Sequence, residues 1–360
     1  MKKYAFFLPQ FHTIEENNKW WGEGFTEWTN VKKAKPLFRG HVQPLHPVNN
    51  NYYNLLEKET VQWQTELMHK YRIDGLIYYH YYFRGKKLLE KPAENLLHWK
   101  EIDQPFFFCW ANHDWNRAWR GSKEILLKQE YGTVQDWNDH FDYLLPFFKD
   151  ERYLKINNSP VFMIYISAFK EKEDMMSFFN EKCKEEGFDG IYVIETYSGE
   201  NYPEGLVEFE KNISKNTEQI FIREPSTSRY AFWVSRKNIL RRYARGLKMR
   251  INKYTHGNCL FITNGDKVLR YICKEPKREG YIHGLNFGFD NTPRHGKRGQ
   301  IVTPPSKETI FSILDYLKDE EYIFINAWNE WAEGMELEPS EEYGYKWLEW
   351  IAEWSKSNDN

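Results

Sequence analysis

The sequence predicts a (β/α)8 barrel, and three observations carry the prediction. Apolar runs of strand length alternate with segments of helical periodicity almost from one end of the chain to the other, which implies a parallel sheet of βα units. The strand-like runs are nearly continuous in apolar residues, as when a sheet is covered on both faces. No Gly-rich phosphate loop follows the first run, which disfavours an open dinucleotide-binding sheet.

The elements follow in order. "YAFFLP" from Tyr4 is the first strand, and after a long loop "TVQWQTELMHKYRI" has helical apolar spacing. "GLIYYHYYF" from Gly75 is a strand, "PAENLLHWK" a helix, and "PFFFCWAN" from Pro105 the third strand. "VQDWNDHFDYLLPFF" reads as a helix and "PVFMIYIS" from Pro160 as a strand; "EDMMSFFNEKCKEEG" is a helix stopped by glycine. "GIYVIETYS" from Gly190 is the fifth strand, and the sixth falls without a clear signal between Gly205 and Thr263. "YIHGLNFGFDN" carries the seventh, "SKETIFSILDYLKDEE" a helix, "YIFINAWNE" the eighth strand, and "GYKWLEWIAEWSK" the last helix. No repeat, low-complexity tract or domain boundary interrupts residues 1–360, which are read as one catalytic barrel with long βα loops.

Composition excludes several classes. A formal charge of −2 argues against nucleic acid as a partner. No apolar run approaches the roughly 18 residues that span a bilayer. The opening "MKKYAFFLPQFH" has an apolar run of only about five residues, short of a signal-peptide core, so a cytoplasmic location is expected. Cys109, Cys183, Cys259 and Cys273 are scattered, which fits reduced thiols and no zinc site. Between Arg236 and Lys253, Ile239, Tyr243, Leu247 and Ile251 recur every four residues among basic ones. A solvated helix packed on the barrel is preferred to peripheral contact with an anionic membrane or a lipid-linked glycan.

Aromatic residues make up 18% of the chain, with 15 Trp and 24 Tyr. Taken alone this means an aromatic-rich core, but the positions point elsewhere. In such barrels the site lies at the C-terminal strand ends. The loop after the first strand carries Trp21, Glu27 and Trp28; the second strand ends in His80 and Tyr81. The third leads into Asn112, Asp114, Trp115, Arg117 and Trp119, and the fifth ends in Glu195 and Tyr197. The seventh ends in Asp290, Asn291 and Arg294, and the eighth in Asn326, Trp328, Glu330 and Glu333. A lone histidine such as His80 is more often a satisfied core residue, yet nearly every strand end pairs Trp or Tyr with acids, amides or arginine.

There is no Ser-His-Asp or Cys-His arrangement, no HExxH and no DxD, so neither a metal nor an organic cofactor is expected. Carboxylates, amides, arginine and indoles are the inventory of carbohydrate chemistry, with an oligo- or polysaccharide as partner. Two acids flanking a glycosidic bond act as proton donor and as base or nucleophile. Glu330 and Glu333, three apart in the first helical turn after a strand, would bring their Cβ atoms to ~5–6 Å. Burial among tryptophans would raise one of the two carboxyl pKa values toward a donor's range. An acidic first turn favoured by the helix dipole is the ordinary reading; after a strand, in "NAWNEW", catalysis is preferred.

With these residues assembled, the chain resembles the WbsX-type proteins, a glycoside hydrolase family 99-like group of bacterial polysaccharide gene clusters. The resemblance covers nearly the whole chain. It rests on "FLPQFHTIEENNKWWGEGFTEWTNV", "KAKPLFRGHVQPLHP", "YYHYYFRGKKLLEKP", "CWANHDWNRAWRG", "DNTPRHG" and "WNEWAEGMELEP". Similarity to family 99 endo-α-mannosidases implies a retaining mechanism in which Glu330 deprotonates the substrate's own 2-hydroxyl, giving a 1,2-anhydro sugar. It implies that Glu333 protonates the leaving oxygen and later activates water. The chain departs from the group's pattern at His113-Asp114, where Glu-Asn is usual, and at Met335-Glu336, where Asn-His is usual. The sugar recognised at neighbouring subsites therefore does not carry over. The group has been labelled both glycosyltransferase and hydrolase-like, so a transferase, a transglycosylase or a catalytically silent glycan-binding protein remain alternatives.

Overall fold

The computed structural model describes residues 1–116, 124–199, 204–226, 260–275 and 277–358, and residues 240, 243, 247, 250 and 251 in addition. Eight strands form its centre: β1 (Lys2–Phe7), β2 (Gly75–Phe83), β3 (Phe106–Trp110), β4 (Ser159–Ile164), β5 (Tyr192–Tyr197), β6 (Thr217–Ile222), β7 (Tyr281–Leu285) and β8 (Tyr322–Ile325). Each pairs in parallel with its neighbour in sequence, and β1 pairs with both β2 and β8, which closes the barrel. The predicted fold is therefore the observed one. The strand without a clear signal is Thr217–Ile222, inside the interval expected for it.

The outer layer contains α1 (Lys58–Lys70), α2 (Lys91–His98), α3 (Val134–Phe148), α4 (Lys172–Glu185), α5 (Glu204–Glu210), α6 (Gly265–Leu269), α7 (Lys307–Leu317) and α8 (Lys346–Ser357). Their starts follow local chemistry: Thr133 and Asp136 close a capping box on α3, and the Ser306 hydroxyl accepts from Thr309 N–H at the head of α7.

Much of the aromatic excess does fill the barrel. Phe6, Phe221 and Phe324 meet at ring separations of 5.5, 6.4 and 5.3 Å, with Tyr79 stacked 5.4 Å from Phe6. Successive strand residues face opposite sides, so Tyr79 and Tyr81 point inward while Tyr78, His80 and Tyr82 point to the helices. By the same alternation Arg223, two positions after Phe221, projects into the barrel mouth.

Of the basic segment, Leu240, Tyr243, Leu247 and Ile251 are helical and exposed. Ile239, the first residue of the expected apolar row, and most of the segment lie outside the described residues. No described helix is long and apolar enough to cross a membrane. Cys109 and Cys183 are buried and Cys273 half-buried, all as free thiols; Cys259 lies outside the described residues.

Candidate active site

At the C-terminal ends of the strands lies a cavity of about 400 Å³. Strand by strand, it is lined by Gln10 after β1, Tyr79 and Tyr81 of β2, Asp114 and Trp115 after β3, and Tyr165 after β4. Arg223 follows β6, Arg294 follows β7, and Asn326, Glu330 and Glu333 follow β8.

The two glutamates do not sit in the first turn of an α-helix, as their spacing suggested. Asn329–Glu330 pairs antiparallel with Met335–Glu336, and a single 3-10 turn, Trp331–Glu333, joins them. A 3-10 turn has three residues per turn and eclipses positions three apart, so the spacing still places both carboxyls on one side. Gly334 closes the turn at φ 59°, where a Cβ would also stand 3.0 Å from Asp290, so both conformation and space require glycine.

This hairpin is anchored from below. The Asn329 side chain accepts from Leu8 N–H at 2.7 Å and donates to Leu8 C=O at 3.1 Å. The Trp331 indole N–H donates to Glu338 at 2.7 Å, and Tyr53 hydroxyl and Gln64 amide donate to the same carboxylate at 2.7 and 2.6 Å. Burial pushes Glu338 up to about 7 against those three donors.

The centre of the electrostatics is Arg294. Its guanidinium donates to Glu27 Oε1 at 3.0 and 2.7 Å, to Glu330 at 3.3 Å, and to Glu333. Three carboxylates thus converge on one buried cation. Burial would lower the Arg294 pKa, but Glu27, Glu333 and Glu330 outweigh it and hold the group charged. Burial, reinforced by Glu333 and opposed by Arg294, pushes Glu330 up to about 8. Glu27 is raised by burial in spite of the same arginine. Burial thus raises both Glu330 and Glu27 against the pull of Arg294, and it moves Glu330 toward the range of a proton donor.

The candidate residues divide cleanly. Tyr81, Asp114, Trp115, Arg294, Asn326, Glu330 and Glu333 line the cavity, and Glu27 reaches it through Arg294. His80 does not: it faces α3, its Nε2 lies 2.9 Å from His140 Nε2, and burial lowers its pKa to about 3. Glu195 is 0% exposed, ion-paired with Lys172 at 2.7 Å and bonded to Ser214 N–H and the Thr217 hydroxyl. It is a buried strut under α4, facing away from the cleft for the same reason of strand phase. Tyr197 packs on Phe209 and lines a separate cavity beyond β4 and β5.

Asn112 bridges two loops through Ile166 N–H and C=O, and Asn291 accepts from Gln300 N–H. Trp28 donates to Tyr53 C=O and supports Trp331 at 5.4 Å, while Trp328 is fully buried. Trp21 packs on Phe25, outside the cavity lining. Asp290 lies across the hairpin, bonded to His41 and Gln43. Arg117 and Trp119 lie outside the described residues.

Sequence reasoning missed Tyr79, Tyr165 and Arg223. Arg223 donates to the Tyr165 hydroxyl at 2.7 Å and lines the same cavity as Arg294. The signal was "IFIREPS", an apolar run ending in an arginine. Among the described residues, no group of His, Cys, Asp and Glu could hold a metal ion.

The chain matches the family described as "Glycosyltransferase WbsX" over residues 3–351. Two curated relatives from Xanthomonas campestris pv. campestris, each called uncharacterized protein WxcX, are 29% identical over 362 residues, covering 96% of this chain and 48% of their own length. The chain thus spans about half the length of the curated relatives it matches. Among solved structures, the GH99 endo-alpha-mannosidase from Bacteroides thetaiotaomicron has a TM-score of 0.56 at 13% identity, covering 99% of this chain and 96% of that one. A glycoside hydrolase-like protein has a TM-score of 0.60 at 10% identity, covering 98% and 93%. At these identities the likeness is one of fold.

Proposed function

The chain belongs to the WbsX family, and on that premise we propose that it is a glycosidase-like, carbohydrate-active enzyme cleaving inside a bacterial surface polysaccharide or its precursor with retention of configuration. Residues 1–360 would form the catalytic barrel. The observation that carries the reading is the placement of Glu330 and Glu333 on one guanidinium at the barrel mouth, where burial raises the Glu330 carboxyl. Carboxyls sharing a guanidinium lie within a few ångströms of each other, the close spacing of retaining enzymes.

One carboxyl donates a proton to the leaving glycosidic oxygen as the bond to C1 breaks. The other carboxylate takes the proton of the 2-hydroxyl, whose oxygen closes on C1 to give the 1,2-anhydro sugar. Water then attacks C1 and gives a proton to the former donor carboxylate, while the other carboxyl returns its proton to the 2-oxygen as the C1–O2 bond of the ring breaks. Resemblance gives the donor's role to Glu333 and the base's to Glu330. The upward shift of Glu330 by burial favours the opposite order. We assign sugar contacts to Tyr81, Asp114, Trp115, Asn326 and Arg223 because they line the same cavity.

The test is mass spectrometry of products from bacterial polysaccharides and mannan-type oligosaccharides, using the wild type, Glu330→Gln and Glu333→Gln. Shortened products from the wild type alone support the reading. An aryl glycoside with an acidic leaving group should restore turnover only in the variant lacking the donor. Chain growth only when a nucleotide sugar is supplied would point to the transferase that the family description names; a sugar acceptor replacing water would make the same acids a transglycosylase. Glycan binding without turnover in either wild type or variant would leave a binding protein.

A further inference from the structure

Behind the catalytic hairpin lies a second cavity, of about 170 Å³. The hairpin strand is the partition. Met335 lines the first cavity and its neighbour Glu336 the second, because adjacent strand residues face opposite sides. Phe289 lines both. The rim is formed by Phe38, Val42 and Ile262, which are 39, 40 and 48% exposed, so the cavity reaches the surface. Its inner wall carries the rings of Phe287, Tyr343 and Trp347.

The polar groups of this cavity are unusually one-sided. His41 Nδ1 accepts from Leu37 N–H at 3.0 Å, so its Nε2–H is the donor to Asp290 Oδ2 at 2.8 Å. Gln43 spends its amide N–H on the same oxygen at 2.9 Å. That leaves the Gln43 carbonyl oxygen buried with no hydrogen-bond partner among the described residues, and Glu336 Oε2 is in the same condition. Gln43 is 6% exposed and Glu336 4%. No lysine or arginine is among the described residues that line the cavity.

We propose that this cavity is a second sugar subsite, selective for a residue that carries a free, protonated amino group. A ligand that satisfies two buried acceptors must donate. An ammonium offers three N–H donors, a charge opposite to the carboxyls of Asp290 and Glu336, and attraction to aromatic faces. A hydroxyl offers one donor and no charge. The ring of a sugar supplies the apolar C–H face that the aromatic wall requires.

The Glu336 carboxyl is held well above its usual range by burial, with Glu342, Glu338 and Asp290 adding to it. A docked ammonium opposes that shift and favours the carboxylate, so binding releases protons to solvent. That a sugar carries the amine rests on the carbohydrate reading above; the selectivity for an amine does not.

The experiment is isothermal titration of the wild type with glucosamine, glucose and cyclohexylammonium, in two buffers of different ionisation enthalpy. Glucosamine should bind at least about tenfold more tightly than glucose, with protons released. Glu336→Gln should lose that preference, a change of about 1.4 kcal/mol for each factor of ten. Ile262→Trp, which plugs the mouth without touching a polar group, should abolish binding in a protein of unchanged stability. Glu330→Gln should bind as the wild type does, whether or not the wild type turns over any polysaccharide, so failure of the catalytic reading is separable from failure here. Equal affinity for glucose and glucosamine, absence of saturable binding, or loss in Glu330→Gln would overturn the proposal. Cyclohexylammonium bound while glucosamine is refused would overturn the assignment to a sugar.

Discussion

Replacing Glu330 with glutamine should flatten the dependence of stability on pH. Glu330 is 8% exposed, and burial, then Glu333, move its carboxyl from 4.5 up to about 8. Between those values the folded chain holds a proton that the unfolded chain has released. The stability tied to that proton is present in full below 4.5 and is lost as pH rises through about 8. At ~1.4 kcal/mol per pH unit, the interval sets a ceiling of about 5 kcal/mol. Arg294 opposes the shift, so a loss of a few kcal/mol is expected. Glutamine keeps the shape and the contact with Arg294 but cannot titrate. Urea unfolding should be followed at about pH 4 and about pH 9, either side of the window, in wild type and Glu330→Gln. The difference between the two pH trends cancels every other titrating group. Parallel trends would refute the reasoning, because the proton would then reside elsewhere in the cluster.

Three further outcomes follow from the geometry. Arg294→Met leaves Glu27, Glu330 and Glu333 around no cation; chemical denaturation should show a loss of ~3–5 kcal/mol at neutral pH, and turnover should vanish. His80→Leu removes the partner of His140 Nε2. It should cost ~1–3 kcal/mol in unfolding experiments while kcat/KM stays within about twofold, because His80 faces α3 and not the cleft. Gly334→Ala forces a Cβ into a positive-φ position against Asp290; a stability loss of ~1–3 kcal/mol should accompany a fall in kcat, read by steady-state kinetics.

The fold was legible because a closed parallel barrel writes its strands as separate apolar runs, and seven of the eight are unmistakable. "TEQIFI" was obscure because only its last three residues are buried, and with that strand Arg223 was lost from view. For the site, the strand ends named the regions around the cavity, but only part of the residues named there line it. In "YYHYYF" the period of two puts tyrosines, not the histidine, into the mouth. The same phase turns Glu195 toward Lys172 and away from substrate. Asn112, Trp28 and Trp328 look like ligands for a sugar in a sequence because amides and indoles serve scaffolding equally well. The carboxyl pair was found through its motif, although the backbone under it is a hairpin and not a helix. A side-chain hydrogen bond to a strand 321 positions away has no local signature.

That bond has a temporal side. Leu8 directly follows the first strand of the barrel and Asn329 follows the last, so the two meet where the circle of strands is sealed. The hairpin's anchor therefore depends on closing the longest loop in the barrel, a step that costs chain entropy. No partly folded intermediate with an open seam presents an assembled pair of carboxyls. On the proposed reading, turnover would double as a proof-reading signal, because only a completed ring assembles the two carboxyls.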